Sequence, residues 1–328
     1  RLDNAWNKNG IYSLEMLVNG KRHYYHDVST FSFAESKYLN LLIDYSYYKK
    51  YKRRIQKTFK ENKNELSIYK GLINNGKINI ESGFNYTIEI IAKDIIGNTS
   101  SLKIPVIGKK SNAVFKKQKD TTAYKIIADN FQKFKKENVT IAFPKNTFYQ
   151  DIYLDFKVDS GVAKVHTPSI PLNKSYTLTF NVSKYTAQEK EQLYIANTEY
   201  AKYPRYVNTR KKDTTFYTTT KTLGKYTLKI DTLKPDVKIL YIYNKQWITS
   251  AKTLKVKVSD VDSGIKNWRA TIDDSWVLMQ YNHKKGILTY NFSDKILVGS
   301  KHIFKIVLSD NVGNTTERSI TFFKKQTK

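Results

Sequence analysis

The sequence predicts a mainly β chain: tandem antiparallel β-sandwiches, with a partly helical insertion in the first. Three observations carry this. Apolar and polar residues alternate along short runs, the runs are rich in β-branched and aromatic side chains, and Asn, Gly, Asp or Lys bound them. Tyr12-Ser13-Leu14-Glu15-Met16, Tyr86-Thr87-Ile88-Glu89-Ile90, Tyr176-Thr177-Leu178-Thr179-Phe180 and Leu254-Lys255-Val256-Lys257-Val258 are examples. Period two with these residues marks a half-buried strand. Short strands recurring between turn signals indicate antiparallel sandwiches rather than βαβ units.

At 328 residues, 40% hydrophobic and 14% aromatic, the chain has apolar material for two or three cores. With 6 Pro and 13 Gly, long flexible linkers are not expected. The predicted units cover 1–110, 111–232 and 233–328. Within the first, 31–72 breaks the alternation: Ile43, Tyr47, Tyr48 and Tyr51 recur at helical spacing. A second short helix is predicted over 124–136. A third is predicted from Thr186, where Thr-Ala-Gln-Glu forms a capping-box pattern. The middle unit carries strand patterns over 139–143, 151–158, 175–182 and 224–230 and receives no family assignment.

An internal repeat organises the two ends. Asp262-Ser263-Gly264-Ile265 precedes a strand, and Asp310-Asn311-Val312-Gly313-Asn314 follows later. In the first unit, Asn9-Gly10-Ile11 precedes a strand ending at Val18-Asn19-Gly20, and Asp94-Ile95-Ile96-Gly97-Asn98 follows. The Asp-x-x-Gly-Asn element is turn chemistry. Asp94 and Asp310 accept backbone N–H bonds, and Gly97 and Gly313 supply positive φ in a hairpin closed by Asn98 and Asn314.

These motifs carry a resemblance. Lys234-Pro235-Asp236-Val237, Asp262-Ser263-Gly264-Ile265 and Asp310 to Asn314 together resemble a bacterial immunoglobulin-like domain over 233–328. Residues 1–108 resemble a divergent sister lacking its first strands. The whole chain, including Asn4-Ala5-Trp6-Asn7 and Asp27-Val28-Ser29-Thr30-Phe31-Ser32-Phe33, resembles the region after the catalytic domain in large Gram-negative lysostaphin-like zinc metallopeptidases, which cut peptidoglycan cross-bridges. The resemblance implies immunoglobulin-like modules in the periplasm or cell envelope. It also implies an accessory role beside an upstream peptidase domain in cis, so that zinc is expected there and no cofactor in this chain. A surface adhesin or structural stalk is the alternative. The chain opens at Arg1 without an initiator Met or signal peptide, which reads as a fragment or processed product. No run approaches the ~20 apolar residues of a membrane-spanning helix.

The chemistry expected of the chain itself is binding. Its Cys count of zero excludes disulfides, thiolate metal sites and Cys nucleophiles. His23-Tyr24-Tyr25-His26-Asp27 spells His-x-x-x-Asp, two ligands of the lysostaphin-like signature, but Tyr25 replaces the family's Gly. His-x-His is missing: His166, His283 and His302 are isolated. A catalytic zinc needs three protein ligands and an open position. Asp260, Asp262, Asp273 and Asp274 read first as turn residues. Calcium is the stronger ligand idea for them, although Asp260-x-Asp262-x-Gly264 has Thr271 where an EF-hand loop has its bidentate Glu. No phosphate loop or nucleophile elbow is present.

The formal charge is +28, from 57 basic and 29 acidic residues. That field attracts polyanions. Only eight of the basic residues are Arg, which argues against specific nucleic-acid reading and for a solvated, Lys-biased surface; peptidoglycan or another anionic envelope polymer as partner is what the family resemblance implies. The densest cluster is Lys49, Lys50, Lys52, Arg53 and Arg54, interleaved with Tyr45, Tyr47, Tyr48 and Tyr51. It reads two ways: a contact face for an anionic polymer, or Tyr rings packing the insertion onto the sandwich while the cations reach water. Helical aromatic stripes favour the second.

Overall fold

A computed structural model describes residues 3–4, 7–8, 10–110, 121–200, 202, 204–248 and 250–325. Ala5 and Trp6 of the N-terminal motif lie outside the described residues. The chain is mainly β, with antiparallel sheets arranged as tandem sandwiches.

In the first unit, strands Lys21–Asp27, Ser13–Val18, Asn85–Lys93 and Thr99–Ile107 lie side by side in one antiparallel sheet. Alternation puts Leu14, Met16 and Tyr24 on one face, and Tyr69, Leu72 and Ile78 of the insertion pack onto it. Among the described residues, that face is covered by the insertion rather than by a second sheet. The fit is close at Gly76 (φ +80°): a Cβ there would stand 2.5 Å from the Thr58 carbonyl oxygen and 2.9 Å from the Tyr24 ring.

The insertion begins with a 3₁₀ turn, Phe33–Tyr38, capped reciprocally by Ser32 and Glu35. Helix α1 (Leu39–Leu42) and helix α2 (Tyr45–Tyr51) follow. The single helical stripe expected through Ile43 is broken. Ile43 is extended (φ −112°, ψ 161°), and Asp44 starts α2 afresh by accepting the Tyr47 N–H at 2.9 Å. A β-branched residue before a strong N-cap makes this break locally favourable. The apolar anchor is therefore Tyr38, Leu41, Leu42, Leu66 and Ile68, joined by Tyr149 from the second unit. No residue of α2 is buried, so its tyrosines do not form the core expected of them.

The second unit is a sandwich of two five-stranded sheets. Val139, Ile141, Phe143, Leu178, Phe180 and Phe216 from one face Phe156, Val158, Val165, Leu193, Ile195 and Tyr226 from the other. The helix expected over 124–136 is instead strands Tyr124–Ile126 and Gln132–Lys136. Gln132 bonds the Ile127 N–H and the Lys125 carbonyl, closing a turn, and alternation directs Phe134 onto the Tyr124 ring at 5.3 Å. Tertiary packing of one aromatic pair overrides weak helical spacing. The third expected helix forms as α3 (Ala187–Gln192), with Thr186 and Glu189 completing the capping box.

The third unit is also a sandwich. Strands Asp236–Leu240, Thr253–Ser259, Ile287–Asn291 and Gln280–Asn282 form one sheet. Gln246–Trp247, Thr315–Phe323, Lys301–Asp310, Ile265–Ile272 and Ser275–Val277 form the other, with Gln246–Trp247 pairing parallel to Thr315–Phe323. Leu254, Val256, Leu288 and Tyr290 meet Ile272, Phe304, Ile306 and Leu308 between them. The hairpins Val18-Asn19-Gly20-Lys21 and Ile272-Asp273-Asp274-Ser275 each turn through two residues of positive φ, the geometry that matches strand twist.

Phe304 lies at the centre of the third core and is fully buried. Phe304→Ala is expected to cost about 3–5 kcal/mol. Hydrogen exchange should then rise first across 236–323, and equal exchange in all three units would contradict separate cores.

Candidate functional site

His23, His26 and Asp27 of the His-x-x-x-Asp run take separate places on one strand. On strand Lys21–Asp27, His23 and His26 occupy opposite faces, as a spacing of three requires. His26 is fully buried; its Nδ1 lies 3.0 Å from the Tyr24 hydroxyl and its Nε2 2.9 Å from Gln56 Nε2. Burial pushes its pKa down to about 4, against a weaker upward pull from Asp27. Asp27 accepts from Lys70 Nζ (2.6 Å) and from the Ser29 hydroxyl (2.7 Å), and these bonds hold its carboxyl down at about 2. Both side chains serve the junction between sheet and insertion. His166 and His302 lie in the other two units: His166 accepts the Asp155 N–H, and His302 pairs with Asp273 at 2.7 Å.

The basic cluster lies on the outside of the insertion. Lys49 and Lys50 occupy the last turn of α2, Lys52 ends it in a left-handed conformation (φ 59°), and Arg53 and Arg54 continue into solvent. Three cations lie over tyrosine rings: Lys49 over Tyr45 at 5.7 Å, Lys50 over Tyr51 at 4.9 Å and Arg54 over Tyr48 at 5.5 Å. Among the described residues none of the five has an ion-pair partner. A cleft of about 470 Å³ opens between the insertion and the second unit, reaching the start of α2 at Tyr45 but none of the five cations. Asp44, Tyr45, Lys57 and Glu61 line one wall, and Tyr149 and Asp151 the other. Sequence reasoning missed this cleft because its walls come from different units.

The two Asp-x-x-Gly-Asn hairpins share a geometry but differ in surroundings. Asp94 accepts the N–H groups of Ile96 (3.0 Å) and Asn98 (2.8 Å), and Gly97 has φ +94°. Asn98 donates only to Asp94 Oδ2, and the hairpin is exposed. Asp310, by contrast, is fully buried and accepts from the N–H groups of Val312 (3.0 Å), Gly313 (2.7 Å) and Asn314 (2.9 Å). The Asn314 amide donates to Asp310 Oδ2 and also to the carbonyls of Asp231 (3.1 Å) and Leu233 (3.0 Å) in the connection from the second unit. The same motif thus turns one hairpin and docks a linker at the other.

That docking gathers three carboxylates. Asp231, Asp260 and Asp310 bring ligand oxygens within 4.8 Å of one another; among the described residues they are the one such cluster of three acidic, His or Cys side chains. Asp260 Oδ1 accepts the N–H groups of Asp262 (3.2 Å) and Gly264 (2.6 Å). Asp231 accepts from Leu233 and Ser263 N–H groups, each at 3.0 Å. Burial raises the Asp260 pKa, and its two acidic neighbours add to the rise. Asp260 and Asp310 were singled out in the sequence; Asp231 was not, and its signal was an Asp at the end of a strand just before Lys-Pro.

Residues 123–231, a third of the chain, match the family model of the Zu5-like domain. This supplies a family likeness for the middle unit. No curated protein matches the chain. Among solved structures, fibronectin(III)-like modules of Clostridium thermocellum CbhA are 13% identical over 47% of this chain and 86% of theirs, with a TM-score of 0.24. An endo-β-1,4-mannanase from Thermotoga petrophila is 13% identical, TM-score 0.24, over 30% of this chain; the match spans 21% of the mannanase. The Bacteroides ovatus mixed-linkage glucan utilization protein SGBP-B, solved with a heptasaccharide, is 8% identical over 96% of this chain and 60% of its own, TM-score 0.18. At these scores the fold assignment rests on the sheets described above. No helix among the described residues is long and apolar enough to cross a membrane.

Two outcomes are expected. His26 folds with a lowered pKa, so the unfolded chain binds more protons between about pH 6.5 and 4, and stability should fall as pH drops through that window. The His26 contribution is about 3 kcal/mol, and His26→Gln should flatten that part of a melting-temperature profile. Asn314→Ala should cost about 1–3 kcal/mol, because it removes the donor to the carbonyl of buried Asp231 and to buried Asp310, whereas Asn98→Ala should stay within about 0.5 kcal/mol. Calorimetry of both variants checks the difference.

Proposed function

We propose that the chain is a non-catalytic binding and spacer region acting outside the cytoplasm, at the cell envelope. In this reading its modules hold an upstream peptidoglycan metalloendopeptidase domain against the wall. The observation that carries it is the group Lys49, Lys50, Lys52, Arg53 and Arg54, which has no ion-pair partner among the described residues and presents Lys49, Lys50 and Arg54 over Tyr45, Tyr51 and Tyr48. Cations attract anionic wall polymers over a Debye length, and Tyr faces offer stacking area to sugar rings. The disposition of His23, His26 and Asp27 supports a binding role too: His26 and Asp27 are engaged in joining the insertion to its sheet. The periplasm and the peptidase partner come from the family resemblance of the sequence motifs. The matched Zu5-like segment is compatible with a modular, multi-domain parent.

Sedimentation of the chain with purified sacculi tests this. Wild type should co-sediment, binding should weaken with added salt, and changing Lys49, Lys50, Lys52, Arg53 and Arg54 to Gln should lower it about tenfold or more with a shallower salt dependence. Unchanged binding in that variant would remove the cluster from the site. Zinc-dependent release of cross-bridge peptides by this chain alone would overturn the non-catalytic reading.

A further inference from the structure

The second and third units meet at a cluster of carboxylates that polymer binding does not use. Its acidic members come from both sides: Asp231 follows the last strand of the second unit, while Asp260 follows strand Thr253–Ser259 and Asp310 ends strand Lys301–Asp310 of the third. Asp231 and Asp310 are fully buried. Carboxylates this close repel one another in a medium of low effective dielectric. Backbone N–H groups of Leu233, Ser263, Asp262, Gly264, Val312, Gly313 and Asn314 restrain them but bring no full positive charge. The nearest cations are engaged at the margin. Lys229 Nζ lies 4.0 Å from Asp262, and Lys211 donates to the carbonyls of Lys190 and Glu191.

A second observation is independent of the carboxylates. Four buried side-chain polar atoms among the described residues have no hydrogen-bond partner, and two of them belong to this junction: Ser263 Oγ and Tyr194 Oη. Both residues are 1% exposed. Ser263 stands between Asp262 and Gly264, with its N–H on Asp231. Tyr194 is opposite Lys229 in the sheet register, hence on the face from which Lys229 reaches the Asp262 loop. Its phenol pKa is raised, first by burial and then by Asp262, Asp231 and Asp260, which places the hydroxyl in the field of the same acids. A buried hydroxyl without a partner costs free energy unless something accepts its lone pairs.

We propose that Asp231, Asp260 and Asp310, with Ser263 Oγ, bind a calcium ion that locks the second unit to the third. The donors are all hard oxygens, which suits calcium or magnesium and not zinc. Calcium–oxygen distances of about 2.3–2.6 Å put ligand oxygens on opposite sides of the ion about 4.6–5.2 Å apart, so a cluster within 4.8 Å is of the right size. Magnesium needs shorter bonds in a near-ideal octahedron and gives up its waters reluctantly, so a site of protein oxygens favours calcium. The ion would cancel the mutual repulsion and tie Asp231 to the hairpin that Asn314 already docks.

The experiment uses the full chain and three ions. Terbium should luminesce when the tyrosines are excited, Tyr194 being adjacent, and millimolar calcium should displace it far better than magnesium. Calcium should raise the melting temperature. Asp260→Asn keeps the Gly264 N–H bond but removes a charge, so it should melt at or above wild type without calcium and below it with calcium, with terbium affinity reduced at least tenfold. Asp231→Asn, read the same way, serves if Asp260→Asn does not fold. No calcium-dependent shift in wild type, equal displacement by magnesium, or a variant that titrates like wild type would each overturn the assignment.

Discussion

Asp310 is a buried carboxylate whose oxygens accept three backbone N–H groups of its own hairpin and the Asn314 side chain. Burying a carboxylate without such donors would leave its oxygens unsatisfied at a large cost in free energy. Because it closes the hairpin, Asn314 faces the connection from the second unit and fixes the carbonyls of Asp231 and Leu233. Thr316 adds a bond to the Pro235 carbonyl at 2.6 Å. The approach of two sandwiches thus follows from satisfying one polar group. The exposed Asp94 hairpin shows the same local chemistry without that consequence.

A comparable economy joins the first unit to the second. Tyr149 contributes its ring to the small core of the insertion and donates its hydroxyl to the Lys37 carbonyl at 3.1 Å. Lys63 pairs with Asp129 at 2.8 Å nearby, an exposed contact that adds little by itself. With its apolar residues engaged in this direction, the insertion turns α2 outward, and that is why the basic cluster is displayed instead of being folded under.

Much of the fold was legible because strand alternation and turn chemistry are local. The strands Val139–Phe143 and Gly224–Ile230, the Thr186 cap and the Asn19-Gly20 turn follow from neighbouring residues alone. Two readings failed for a shared reason. The helix expected over 124–136 and the aromatic core expected in α2 both relied on spacing, and in both places partners outside the segment decided the outcome: Tyr124 packs on Phe156 and its strand pairs with Ile152–Leu154, while Tyr149 completes the core of the insertion. Of the site, Lys49 to Arg54, Asp260 and Asp310 were visible as residue types; their exposure or convergence was not.

By itself the sequence determined a β-rich chain with duplicated hairpins, a strong positive charge and no cysteine chemistry, because composition and period-two patterning are properties of adjacent residues. Only the tertiary structure decided that His26 is buried against Tyr24, that a cleft opens between insertion and sandwich, and that Asp231 joins Asp260 and Asp310. Each of these depends on contacts between separate elements, whose geometry is set by how cores pack and not by any local pattern.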